Sequence, residues 1–321
     1  NLKFDISGIE EVKRKFFGTI HNIYSFFSLY ANIDGFTGSE KSIPYTKRHE
    51  LDRWILSELN SLIAEVESSY EHYEPTKAAR LISSFVQDNL SNWYVRLSRR
   101  RFWKGEYNED KLSAYQTLHE CLSKISIISS PISPFYMDNL FQDLNSEIGS
   151  VHLVDFPTHS SELINIELEN KIRLSQDICS LALSLRKKEK IKVRQPLPKI
   201  LVPFKNNEEK KVLEEISEFI KSEINVKTIE LITDSSEILV KKAKANFKLL
   251  GPKYGKTMKT VVGLINNLNN EQIENLSNSL NVTIHHGDEE FTLTSEDVEI
   301  DFEDIEGWLV ASENGKTIAL D

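Results

Sequence analysis

Cysteine is scarce. Cys121 and Cys179 are the only two in 321 residues, far apart and each in an apolar-periodic context, so they read as buried free thiols in a reducing compartment. Two isolated cysteines cannot form a structural zinc site, which needs about four Cys or His ligands in close pairs. His285 and His286 do not fill the gap, because adjacent side chains on a strand point to opposite faces. Long apolar runs are missing as well: none reaches the roughly 18 residues of a membrane span. The opening NLKFDISG carries neither a basic leader nor a signal-like core. The expectation is a soluble, cytoplasmic chain with no membrane association. Its first residue is Asn rather than Met, which is expected of a fragment of a longer protein. Catalytic signatures are also lacking. Serines are plentiful, but nothing resembles a nucleophile elbow, and GPKYGK at 251–256 lacks the glycine-lysine spacing of a P-loop.

What the chain has is charge, unevenly placed. The formal net charge is -10, which disfavours indiscriminate nucleic-acid binding. Within this acidic molecule residues 88–105, DNLSNWYVRLSRRRFWKG, set four arginines and Lys104 against Asp88 and interleave them with Trp93, Tyr94, Phe102 and Trp103. A basic island of this kind is a phosphate-binding footprint. Residues 186–199 hold seven Lys or Arg against Glu189, and residues 241–260 hold seven lysines with no acid. By contrast residues 287–321 hold twelve Asp or Glu and one lysine, Lys316.

At roughly 150 residues per domain the length suits two domains. Helical apolar spacing predicts a first helix over 8–31, including Ile9, Val12, Phe16, Ile20, Ile23, Phe27 and Leu29. A Gly/Pro-bearing loop follows over 32–48, then a second helix capped by Asp52 and reaching about Tyr70. A third helix is expected over 76–104, with Leu81, Ile82, Phe85, Val86, Leu90, Trp93 and Leu97 on its core stripe and Gly105 at its end. A fourth spans about 110–128 and a fifth starts near Pro134, packing Phe135, Leu140 and Phe141 inward. Long helices with short polar connections make a bundle. After an extended linker at 148–160 helix returns from Ile164 to about Lys190, and beyond it the period changes. KILVPF, NEEKKVLEEISEFIKSEI and VKTIELIT read as strand, helix and strand. ILVKKAKANF reads as a strand, YGKTMKTVVGLINNL and EQIENLSNSL as helices, and VTIH, EFTLT, VEIDF, WLVAS and KTIAL as strands, with Asn314 and Gly315 marking a hairpin turn.

On a helical wheel Arg96, Arg99 and Trp103 share one flank, while Arg100 falls beside the core stripe, where a structural role competes with phosphate binding. Two readings of the flank stay open: arginines bridging to acidic neighbours, or guanidinium groups forking onto phosphates with an indole stacked on an unpaired base. Trp93 and Tyr94 read as core. The basic turn Arg186–Arg194 suits a helix C-terminus, but the six excess charges of 186–199 exceed what a helix end needs, and Pro196 and Pro198 hold the following backbone extended; an RNA contact is the favoured reading. The lysines of 241–260, with Lys253 and Lys256 before a helix start, suit a solvated face as well as an RNA site. The acidic end reads as a solvated sheet face, with Trp308 in the core.

SNWYVRLSRRRFWKGEY resembles the anticodon-binding helix bundle of isoleucyl-tRNA synthetase, a class I aminoacyl-tRNA synthetase. HNIYSFFSLYANIDGF at 21–36, LDRWILSELN at 51–60, VRQPLPKI at 193–200 and DIEGWLVASENGKTIALD at 304–321 agree with it. The resemblance implies an α+β multidomain chain: an anticodon-binding helix bundle over 1–147, a linker and connecting helix with the basic turn over 148–198, and a C-terminal α+β domain over 199–321. It departs from the zinc-tailed plan of many bacterial members and is similar to the eukaryote-like type. It implies isoleucine tRNA as the partner of a monomeric chain, with Arg96, Arg99, Arg100, Arg101 and Lys104 on phosphates and Trp103 stacking. Lys192, Arg194 and Gln195 would form the opposing wall. The parent synthetase is expected to use ATP and magnesium, but neither has a site here. His285-His286-Gly287 is no HIGH-like motif, and Lys256-Thr257-Met258-Lys259 no KMSKS-like one, so the fragment alone is expected to be inactive. A different class of function, a protein-interaction scaffold with basic and acidic faces, would bind RNA poorly at physiological salt.

Overall fold

The computed structural model describes residues 5–233, 239–277, 280–286, 289–304, 308–313 and 316–321. The chain divides into two compact units, Asn1–Asn170 and Lys171–Asp321.

The first unit is helical. α1 (Ile6–Val12), a π-helical turn over Lys13–Phe17 and α2 (Gly18–Asp34) follow one another without a break. The Asp5 carboxylate caps the start by accepting the Ser7 N–H at 3.1 Å. Gly35 ends the run at φ 73, a conformation that suits glycine at a helix C-terminus. Ile20, Ile23, Phe27 and Ala31 are buried, but Ile9, Val12 and Leu29, expected on the same stripe, are exposed. The π turn explains the difference for α1, because i→i+5 winding shifts the helix phase against a straight α-helical wheel.

α3 (Glu50–Glu71) begins ahead of the sequence expectation, with His49 Nδ1 accepting the Leu51 N–H at 3.1 Å. Asp52, read as the cap, is instead fully buried. α4 (Pro75–Ser84), a π-helical segment over Phe85–Val95 and α5 (Arg96–Trp103) make the third continuous run. Pro75 occupies its first turn, where a missing N–H costs nothing. α6 (Glu109–Ser129) is capped by Asn108, whose Oδ1 accepts the Lys111 N–H at 2.9 Å, and it buries Tyr115, Leu118, Leu122 and Ile125. α7 (Pro134–Leu144) buries Met137, Leu140 and Phe141. Phe135, expected inward, is 90% exposed; it lies two residues before Met137 and so on the far side of the helix. The linker is tied to α3, with Ser160 N–H donating to Asn60 Oδ1 at 2.8 Å and Asn165 N–H to Ser57 Oγ at 2.7 Å. α8 (Ile166–Lys188) follows, and the boundary between the units falls within it.

In the second unit β1 (Leu197–Pro203), α9 (Asn207–Ile224) and β2 (Val226–Ile232) form the expected strand–helix–strand, with β1 and β2 parallel and Leu197 opposite Val226. β3 (Leu239–Ala245) leads into α10 (Phe247–Tyr254), α11 (Met258–Ile265) and α12 (Asn270–Ser277). β4 (Val282–His286) pairs with β5 (Glu289–Leu293), and β3 with β6 (Val298–Asp304), both antiparallel. Leu250, Val261, Ile265, Ile273, Leu276, Val282, Ile284, Phe291 and Leu293 form one core between these helices and strands. β7 (Leu309–Glu313) and β8 (Lys316–Leu320) return to the first sheet, giving the order β2-β1-β8-β7. Trp308 packs on its core of Leu201, Ile232 and Ala319, as expected. Sequence patterning missed α10, because Pro252 inside it reads as a breaker. The Asn314–Gly315 turn lies outside the described residues.

Candidate nucleic-acid interface

The arginine-rich stretch owes its geometry to the π-helical segment that precedes it. A straight α-helix would keep Leu97 on the core stripe, but across Phe85–Val95 the winding is i→i+5. The buried face of α5 therefore moves to Ser98 and Phe102, while Leu97 is only half-buried. Phe102 sits edge-on to Phe26 at 5.2 Å and to Tyr115 at 5.1 Å between ring centroids. With the core face fixed there, Arg96, Arg99, Arg100 and Trp103 fall on the solvent side. Their spacing, i, i+3, i+4 and i+7, makes them one stripe. The Arg100 expectation is corrected in detail: its side chain is exposed rather than beside the core.

Within this stripe Arg96 Nε donates to the Asn92 carbonyl at 2.6 Å. The Arg99 guanidinium lies over the Phe26 ring, 5.9 Å from its centroid. Trp103 is 53% exposed, large for an indole, and Lys104 leaves the helix in an extended conformation before Gly105 at φ 86.

Arg101 points the other way. Its Nη1 and Nη2 donate to Asp52 Oδ1 and Oδ2 at 2.7 and 2.8 Å, a forked pair, and its Nε donates to Asp110 Oδ2 at 3.0 Å. The Asp52 carboxylate also accepts from Tyr94 OH at 2.7 Å and Ser113 Oγ at 2.6 Å. Burial alone would raise the Asp52 carboxyl, but the Arg101 hydrogen bonds and charge, joined by those hydroxyls, outweigh it and hold the group below the ordinary carboxylate range. Burial and the Asp52 charge drive the Tyr94 phenol well above its usual value, so it stays a donor. The phosphate contact expected of Arg101 is thus replaced by a structural one: its guanidinium locks the end of α5 to α3 and α6.

The second group belongs to the second unit. Lys192, Arg194 and Gln195 are exposed on a turn closed by Gln195 N–H on the Lys192 carbonyl at 2.9 Å. Arg186, counted with this surface from sequence, is 1% exposed and turns its guanidinium inward. Lys253, read as a candidate phosphate contact, lies in the last turn of α10, just ahead of α11. It donates to Asp297 Oδ2 at 2.6 Å and to the Thr292 carbonyl at 3.1 Å. The side chains of Lys241, Lys242, Lys248 and Lys256 lie outside the described residues. Cys121 and Cys179 are buried free thiols, and among the described residues no cluster of three His, Cys, Asp or Glu side chains could hold a metal ion.

A helical bundle that turns a stripe of arginines and an indole outward presents groups suited to phosphates and unpaired bases. Residues 52–201 match the anticodon-binding domain of tRNA ligase. The whole chain is similar to the C-terminal part of isoleucine--tRNA ligases: it is 51% identical to that of Bacteroides thetaiotaomicron, 51% to that of Porphyromonas gingivalis and 50% to that of Cytophaga hutchinsonii, in each case over 100% of this chain. It spans 28 to 29% of the length of these relatives.

Proposed function

We propose that this chain holds the anticodon stem and loop of isoleucine tRNA for an isoleucine--tRNA ligase, whose catalytic part lies in the remainder of a longer polypeptide and joins isoleucine to the tRNA with ATP and magnesium. The observation that carries this reading is the outward stripe of Arg96, Arg99, Arg100 and Trp103 on a helix end anchored by Arg101. Guanidinium groups fork onto phosphates, while an exposed indole stacks on an unpaired base. Lys104, Lys192, Arg194 and Gln195 add contacts to the RNA backbone. In this reading residues 1–147 are the anticodon-binding bundle, 148–198 the connection and 199–321 the C-terminal domain of a monomeric, cytoplasmic enzyme.

The test is binding of the chain to isoleucine tRNA and to the same tRNA with a changed anticodon, each across a salt series. Each neutralised phosphate contributes about 0.7 to 0.9 to the log-log salt slope. A steep slope with preference for the native anticodon is expected. Equal affinity for both tRNAs would reduce the chain to a backbone clamp, and binding to neither would overturn the reading.

A further inference from the structure

Arg186 is a cation in an unexpected place. It stands in the last turn of α8 at 1% exposure, yet among the described residues no carboxylate pairs with it. Its partners are backbone carbonyls. Nη1 donates to Lys192 O at 3.2 Å and Gln195 O at 2.9 Å, and Nη2 to Asn225 O at 3.0 Å. Asn225, left-handed at φ 52 at the end of α9, adds a fourth tie by donating from Nδ2 to Val193 O at 2.9 Å. The chain between is turned by Lys190 at φ 58 and by Ile191 N–H on the Arg186 carbonyl at 2.7 Å. Burying an unpaired charge is costly, and here it lies under Lys187, Lys188, Lys190, Lys192 and Arg194, all exposed, against Glu189 alone. Such an arrangement is stabilised by an anion arriving from outside.

The backbone offers that anion donors. The carbonyls of Lys192 and Val193 face the Arg186 and Asn225 side chains, and every peptide described is trans. A planar trans peptide sets its N–H opposite its C=O. The amides of Val193 and Arg194 consequently point outward, and among the described residues neither donates to a protein acceptor. Successive outward amides on a turn make an anion-binding concavity.

We propose that Arg186 is a positioning residue that builds a phosphate site from the basic turn, with the Val193 and Arg194 amides and the Lys192 and Arg194 side chains as donors to one phosphate of an RNA backbone. The identification of the phosphate as RNA rests on the function proposed above; the anion site does not.

Two measurements separate these statements. Inorganic phosphate is titrated into the 15N-labelled chain, with chloride at matched ionic strength as control. The Val193 and Arg194 amide resonances move in the wild type, and in Arg186→Lys, which keeps the charge but loses the planar fork, their response weakens at least tenfold. Unmoved resonances in the wild type, or an undiminished response in the variant, overturn the proposal. In the second measurement isoleucine tRNA is titrated across salt. Lys192→Ala with Arg194→Ala flattens the slope by about 0.7 to 0.9, the contribution of one phosphate, and adding Arg186→Lys to that pair flattens it no further. A slope unchanged in the double variant sinks the site as an RNA contact while the tRNA reading stands. Amide shifts with phosphate in a chain that binds no tRNA uphold the site and sink the tRNA reading.

Discussion

Asp52 shows how far one side chain departs from its sequence neighbourhood. Two residues into α3, and acidic, it has every local mark of a helix cap, yet it serves as the buried anchor of Arg101, 49 residues away. Nothing in the local pattern reveals such a pairing, and the same is true of Arg101, which sits among arginines of identical composition that face solvent. Removing one partner of a buried pair leaves an uncompensated charge. Asp52→Asn is therefore expected to lose about 3 to 5 kcal/mol of stability near neutral pH, measured by urea denaturation. The pH dependence has a definite sign. The folded-state pKa of Asp52 is depressed, so its stabilisation is present above the unfolded value of about 3.9 and is lost as pH falls through the lower folded value. The gap between wild type and variant should narrow below about pH 4; a constant gap down to pH 3 would show that the carboxylate charge is not what holds α5.

At the scale of elements, most of the fold was legible. Apolar spacing located the long helices of the first unit to within a few residues, and the change to alternating apolar residues located the strands of the second. What a straight wheel could not supply was the π-helical segment Phe85–Val95, because i→i+5 winding leaves no mark in composition. That segment decides which arginine faces inward, and so the stripe was only partly legible: Arg96, Arg99 and Trp103 share an exposed flank as the wheel placed them, while Arg100, placed beside the core, is exposed and Arg101, placed on phosphates, turns inward to Asp52. The two tryptophans bracketing this shift provide its test. Trp93 is 8% exposed and Trp103 53%. Trp93→Ala is expected to destabilise the bundle by about 3 to 5 kcal/mol. Trp103→Ala should alter stability by about 0.5 kcal/mol or less while weakening tRNA binding by about 1 to 3 kcal/mol, the loss of one stacked base. An unchanged melting temperature for Trp93→Ala would contradict its core position, and unchanged tRNA affinity for Trp103→Ala would remove the indole from the interface.

For the whole molecule the governing quantity is the mismatch between a net charge of -10 and its local basic clusters. Twelve acidic residues within 287–321 oppose a polyanion, so phosphate attraction alone holds nucleic acid weakly. Duplex DNA offers phosphates at high density but keeps its bases stacked and out of reach of Trp103, whereas an RNA loop can splay them. At about 150 mM salt, where purely electrostatic binding has a Kd of roughly 10⁻⁴ to 10⁻⁶ M, isoleucine tRNA should bind at least tenfold more tightly than duplex DNA of equal phosphate count. The ratio should shrink as salt is lowered, because the phosphate contribution common to both ligands then dominates. Competition titrations at several salt concentrations measure it directly. A ratio near one at every salt concentration would mean that the chain senses only phosphate density, and that the outward indole contributes nothing to recognition.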